Sequence, residues 1–345
     1  MTGTGPDRLV IALAGDVMLG RGVNETIRVR GFAHPWGDIL PVIKESDVFF
    51  ANLECALTSH KKHWTNGEEK AFYFRADPRV VRTLQIAGLD FVSLANNHAG
   101  DFEEEGLLQT VAVLDHAAIA HAGAGHSLAD ARQPAIIQAS GYRLAVIAYA
   151  DYPVAWAATP WRSGINYTKV TTDAEHFAKV KDSLAAARKA VDLVVFTIHW
   201  GPNMVSRPTT GFKEFARAVI DAGADVFWGH SAHVVQGIEV RNGRPILYDT
   251  GDFVDDYAVD PYLRNDLSAL FRLHLRPPVI ESVELVPVKI SDMQVNKARG
   301  AEREWFIERF RGLSAEMGAQ VKSTDSRLTI DLQASESLTK QAEIA

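Results

Sequence analysis

Apolar residues along this chain come in short unbroken runs, and most of those runs end on a polar side chain. Leu9 to Ala14 leads into Gly15-Asp16, and Val48 to Ala51 leads into Asn52-Leu53-Glu54. Phe91 to Ala95 stops on Asn96-Asn97-His98, Leu144 to Ala150 on Asp151, Leu193 to Ile198 on His199, and Val226 to Gly229 on His230. Runs of this length that do not alternate with polar residues predict strands covered on both faces. We place strands at 8–16, 47–54, 90–98, 143–151, 192–200 and 224–230.

Between them the spacing changes to that of helices. Leu107, Val111, Leu114 and Ala118 share one helical face, and glutamates 103–105 fill the first turn, where the positive end of the helix dipole favours them. Phe212, Phe215, Ala216 and Val219 form a second stripe, stopped at Gly223, and 168–189 is a long amphipathic segment. Alternating strands and helices predict an α/β domain with a largely parallel sheet. Beyond residue 230 the texture becomes hairpin-like. Asn242-Gly243 marks a tight turn, 267–275 and 280–290 read as further strands, and Phe306, Phe310, Leu313 and Met317 line a helix. Residues 327–332 read as a last edge strand. We expect one domain over 1–335, with a second, more antiparallel sheet in its later half and a frayed polar tail at 336–345.

Composition narrows the partners. The 345 residues are 47% hydrophobic and 23% charged, with a net charge of −7. This balance excludes nucleic acid and an anionic membrane surface as the main partner, since both need a clustered basic face. No apolar run nears the roughly 18 residues that span a bilayer, and Leu9–Ala14 is too short for a signal-peptide core, so we expect a cytoplasmic protein without a membrane span. Cys55 is the single cysteine; it has no base close in sequence, and no Gly-x-Ser-x-Gly occurs, which disfavours a covalent nucleophile.

The polar residues that end the strands become chemically specific when taken together. Parallel strands place all their carboxyl ends on one rim, where ligands bind. Asp16, Glu54, Asn97, His98, His199 and His230 would meet there, with His233 three residues further on. Each has an ordinary structural role open to it. Asp16, for instance, would serve to cap a helix beginning near Arg21, and Asn97 to hold a turn. Repetition at the same strand end favours a metal site instead. Mixed oxygen and imidazole donors suit Mn, Fe or Zn, and carboxylates can bridge two ions about 3.5–4 Å apart. Arg21, in the glycine-rich turn "GDVMLGRG", would orient an anionic group. The acidic stretch from Asp249 to Asp260 would extend the metal site, bind a cation, or be a solvated loop. "HAGAGHSLADA" reads as a turn into a capped helix, not a dinucleotide loop.

In order along the chain, "GDVMLGRG", "NLE", "SLANNHAGDFEEEGLLQT", "GAGHSLADARQP", "HWG" and "GHSAHVVQGIE" resemble the poly-γ-glutamate capsule-synthesis (CapA-like) family, over about residues 8 to 255. That family is similar to a divergent branch of the calcineurin-like metallophosphoesterases. The resemblance implies a four-layer sandwich, with helices flanking two mixed β-sheets, and a dinuclear metal site. It matches Asp16 to the first metal motif, Glu54 to the bridging carboxylate, Asn97 to the asparagine ligand, His98 to the general acid, and His199, His230 and His233 to the later ligands. Four positions depart from the pattern: Met18 replaces a histidine, Glu54 an aspartate, Gly-His-x-x-His the shorter Gly-His-x-His, and Asp252 an amide. The expected function is a metal-dependent hydrolase or acyl-transfer enzyme on a small anionic or γ-glutamyl-type amide, linked to poly-γ-glutamate metabolism and to partners in a synthesis complex. A metal-dependent phosphoesterase and a non-catalytic scaffold are the alternatives.

Overall fold

The computed structural model describes residues 8–65, 70–189, 191–323 and 327–333, so the tail expected at 336–345 lies outside them. Strands β1 (Leu9–Val17), β2 (Val48–Leu53), β3 (Phe91–Ser93) and β4 (Ala120–Ala122) run parallel in one half of a ten-stranded sheet. Strands β5 (Ala135–Ala139), β6 (Tyr142–Ala150), β7 (Leu193–His199), β8 (Val226–His230), β9 (Ile238–Arg241) and β10 (Arg244–Leu247) form a second, six-stranded sheet, in the order β9-β10-β8-β7-β6-β5. The β9–β10 hairpin turns at Asn242 and Gly243, both at positive φ, as its sequence predicts.

The unbroken apolar runs follow from layering. Along β6, Ala145, Ile147 and Tyr149 share a cluster with Phe177, Val180 and Leu184 of helix Ala174–Arg188 and with Phe215 and Val219 of helix Thr210–Asp221. The alternate residues Leu144, Val146 and Ala148 belong to the core that the two sheets share. The ten-stranded sheet carries helical cover on its far side, where Trp36 packs on Phe49 at 6.0 Å and on Phe253 at 6.4 Å. The result is the four-layer α/β-β-α arrangement.

Two expectations need correction. The later strands do not build a sheet of their own. Strand β12 (Leu267–Arg276) extends the first sheet antiparallel to β1, with Leu9 opposite Leu275, and β13 (Val279–Ser291) pairs antiparallel with β12. Because β1 is fully buried along most of its length, it needs a hydrogen-bonding neighbour on each side, and β12 supplies the second. Nor is Leu328–Asp331 the edge, because the three-residue strand Val321–Ser323 lies outside it. The second sheet comes instead from the middle of the chain, so the polar strand ends lie on the facing rims of two sheets.

Between them, β11 (Asp252–Val254) runs parallel beside the carboxyl end of β1, with Asp252 opposite Asp16. Gly15 permits this. A Cβ there would lie 1.7 Å from the Gly251 carbonyl oxygen, which already accepts a bond from the Asp16 amide. Gly15→Ala is therefore expected to lower stability by about 1–3 kcal/mol, the usual cost of overpacking, and to weaken metal binding by displacing Asp252. Urea unfolding and metal titration of the variant check this. Wild-type values in both would show that the approach of these two backbones is not needed.

Candidate metal centre

Two groups of buried donors meet where the sheets face each other. One ligand atom from each of Asp16, His199 and His230 lies within 4.8 Å of the others, and the same holds for Asp16, Glu54, His233 and Asp252. Asp16 belongs to both. The imidazole Nδ1 atoms of His199 and His230 face each other at 3.1 Å, and His230 Nδ1 is 3.4 Å from Asp16 Oδ1. His233 Nδ1 lies 2.8 Å from Asp252 Oδ1 and 3.4 Å from Asp16 Oδ2. Glu54 Oε1 is 3.8 Å from His199 Nε2.

Three of these donors, Asp16, Glu54 and Asp252, carry orphaned acceptors, and Asn97 carries another. Asp16 Oδ2, Glu54 Oε1, Asn97 Oδ1 and Asp252 Oδ2 are all buried without a hydrogen-bond donor. Buried carboxylate oxygens in this state are costly unless a cation compensates them. The donor chemistry, carboxylate with imidazole, fits a borderline divalent ion.

The electrostatics report the same crowding. Burial, reinforced by the charge of Asp16, pushes the Glu54 carboxyl well above its usual range, and burial does the same to Asp252. Burial also raises Asp16, but the imidazoles of His233, His230 and His199 around it together more than offset this and hold it well below. Burial lowers His199, and it lowers His230 to about 4. His233 moves the other way: burial pulls it down, but Asp252 and Glu54 hold it well above an ordinary imidazole.

Supporting contacts set the geometry. Asn52 donates to Asp16 Oδ1 at 2.8 Å and accepts from Asn96 at 3.0 Å, while Tyr257 donates to Glu54 Oε2 at 3.0 Å. Within Gly-His-x-x-His, Ser231 and His233 have φ of 118° and 60°. Such conformations cost about 1–3 kcal/mol each. Asp249 holds this loop by accepting from the Ala232 amide, also at 2.8 Å.

The residues anticipated from the sequence fall as follows. Asp16, Glu54, His199, His230 and His233 come together, and Asn97 contributes one of the orphaned oxygens. Asp16 caps no helix: the first helix, Arg21–Arg30, starts from Gly20 without a side-chain cap. His98 lies beside the centre, stacked on Phe74 at 3.9 Å, with Nδ1 2.6 Å from Asp101 Oδ2. Burial lowers its pKa, although Asp101 opposes the shift. Asp101 also takes the Phe74 amide and the Lys70 ammonium. Arg21 reaches a neighbouring cavity but is not the free anion clamp expected, since Nε and Nη2 lie 3.2 and 3.0 Å from Asp256. Met18, in the histidine's place, turns its sulfur to the Gly20 amide at 3.0 Å.

Three contributors escaped the sequence reading as site residues, Asn52, Tyr257 and Asp101, and Asp252 entered it only within the acidic stretch. Asp252 had a signal, an acid where the resembled family shows an amide. Asn52 had one too, a polar residue inside an apolar strand. The acidic stretch divides. Asp249, Asp252 and Asp255 are buried, whereas Asp260 bonds the Tyr262 and Leu263 amides in an outer turn.

The family model described as "Bacterial capsule synthesis protein PGA_cap" matches residues 10–257. "Probable polyglutamine synthesis accessory protein" of Mycobacterium tuberculosis is 29% identical over 366 residues, covering 94% of this chain and 96% of that protein. "Capsule biosynthesis protein CapA" of Bacillus anthracis is 28% identical, covering 94% and 78%. "PGA biosynthesis protein CapA" of Bacillus subtilis is 29% identical, covering 96% and 84%. No helix among the described residues is long and apolar enough to cross a membrane.

Proposed function

The chain belongs to the bacterial capsule synthesis protein family PGA_cap, and from that premise we propose that it is a metal-dependent hydrolase or acyl-transfer enzyme acting on a γ-glutamyl-type amide. The carrying observation is the set of buried, orphaned acceptors on Asp16, Glu54 and Asp252, closed by His199, His230 and His233, with Asn97 offering a further orphaned oxygen. These residues would hold one or two Mn, Fe or Zn ions. Bound there, such an ion supplies Lewis acidity, polarising the scissile group and making water acidic near neutral pH.

The chain's own groups would do the rest. His98 keeps one face on Phe74 and Nδ1 on Asp101, so Nε2 of the neutral ring is left to take a proton from water and pass it to the leaving nitrogen. Lys70 balances Asp101, bonding both that carboxylate and the Asn97 carbonyl oxygen, and so ties the proton-transfer residue to the metal end. The names of the relatives support a place in polyglutamate or capsule synthesis, working with other synthesis proteins. The sharing of Asp16 between two donor groups supports a second reading, hydrolysis of phosphoesters.

Purified protein should carry Mn, Fe or Zn and turn over γ-glutamyl anilides with added Mn but not with chelator. Turnover of bis-p-nitrophenyl phosphate alone would select the second reading. No turnover of either, with synthesis proteins copurifying, would select a scaffold. Within the leading reading, His98→Ala is expected to lower kcat by about 10²–10⁴, the usual contribution of positioned proton transfer. Asp101→Asn should lower it less, with KM little changed. Wild-type kcat in His98→Ala would remove it from the mechanism.

A further inference from the structure

The cavity next to the metal centre has a volume of 560 Å³ and is lined at one end by His98 and His233. We infer that it accepts the leaving side of the substrate as an uncharged aromatic or branched apolar group, not as a second carboxylate-bearing residue. This inference rests on the hydrolase reading and names the substrate class for that same site.

The walls carry the argument. Phe74 stacks on Tyr257 at 5.6 Å and 30°, and Phe72 continues the stack at 6.3 Å and 26°. Met204, Val259 and Pro261 add further apolar surface. Phe72 and Val259 are 59% and 52% exposed, yet both line the cavity. Large apolar side chains left open at the mouth of a cleft beside polar chemistry are the surface that an apolar ligand group covers.

The charges point the same way. Arg21 is the one arginine or lysine among the described lining residues. Its guanidinium is paired with Asp256 and lies 5.6 and 5.4 Å over the rings of Phe72 and Phe74. Lys70, nearby, is engaged with Asp101 and the Asn97 carbonyl oxygen. Asp260 adds a negative charge to the lining. A glutamate on the leaving side would therefore put its carboxylates against aromatic rings, an aspartate and an already paired arginine, with the Asn203 and Asn265 amides as the neutral donors left to replace its water. An anilide or an apolar amine loses nothing by entering, and its ring can stack on Phe72.

The test separates binding from turnover. Indole and glutamate, neither of them cleavable, are titrated into Mn-loaded protein by NMR. Indole should bind in the cavity and glutamate, which can bind at the metal, should not displace it at equal concentration. Phe72→Ser should weaken indole about five- to tenfold, the scale of losing part of one aromatic contact; Phe72 is exposed enough for the variant to fold. Val259→Ser should weaken it independently. Displacement of indole by glutamate, or indole affinity unchanged in both variants, overturns the inference. In parallel, kcat/KM is compared for γ-glutamylanilide and γ-glutamylglutamate. A faster γ-glutamylglutamate sinks the inference but keeps the hydrolase reading. Turnover of neither sinks the hydrolase reading, while indole binding that depends on Phe72 still upholds the apolar pocket.

Discussion

Asp16→Asn is expected to empty the whole centre, whereas His230→Ala should empty only part of it. Asp16 is the residue shared by both donor groups, so removing its charge weakens every cation position at once. Asparagine retains an oxygen for Asn52, which donates to Asp16 at 2.8 Å, so the variant should fold. His230 takes part only in the group with His199. Its loss leaves Asp16, Glu54, His233 and Asp252 to hold one ion. Elemental analysis of protein purified without chelator should therefore show near-zero metal for Asp16→Asn and a residual ion for His230→Ala. The stabilisation that saturating metal gives, about 2.7 kcal/mol at a hundredfold excess over Kd, should vanish in the first and persist in the second. Activity on any true substrate should fall by about 10³ or more in Asp16→Asn, as loss of an ion's charge stabilisation entails. Equal metal loss in the two variants would mean that the groups are not joined through Asp16.

The second large effect is in pH. Burial, with the charge of Asp16 adding to it, raises the Asp249 carboxyl to about 8, so between roughly pH 4 and 8 the folded protein keeps a proton that the unfolded chain releases. Stability of the metal-free protein must fall as pH rises through that window. Glu54 and Asp252, also raised by burial, act in the same direction. His233 does so as well, its stabilisation being lost as pH passes its raised folded value. His199 and His230 oppose them. Their folded values are lowered, so stability rises with pH until the unfolded imidazoles lose their protons near pH 6.5. The opposition ends there, and from about pH 6.5 to 8 the decline is uncompensated. Metal reverses the sign, because its ligands must be deprotonated to bind. Melting temperatures at pH 6, 7 and 8, with Mn and with chelator, should show metal-free stability falling and the increment from Mn growing. An increment that shrinks with pH would rule out a centre built on these carboxylates.

Strand positions were legible because burial on both faces is written locally. A residue such as Ile147 or Val195 must be apolar whichever layer it meets, so the run marks the strand without marking its neighbours. The polar stops were legible for a similar reason: Asp16, Glu54, His199 and His230 each interrupt an apolar run that a purely structural strand would continue. Asp101 was not legible, since an aspartate after a turn resembles any surface acid. Its burial comes from three donors, His98, Phe74 and Lys70, that reach it from different segments.

By itself the amino-acid order determined which segments become strands and helices, that several strands end on carboxylate, amide or imidazole side chains, and which family the motifs resemble. Tertiary structure alone decided which strands make up each of the two sheets that present those ends, that Asp252 lies against Asp16, and that Arg21 is neutralised by Asp256 from 235 residues away. The division has a physical cause. Periodicity and capping act over a few residues and leave a local trace, whereas strand partnership and charge pairing depend on which distant backbone edge is free to hydrogen-bond, and no short stretch of sequence records that.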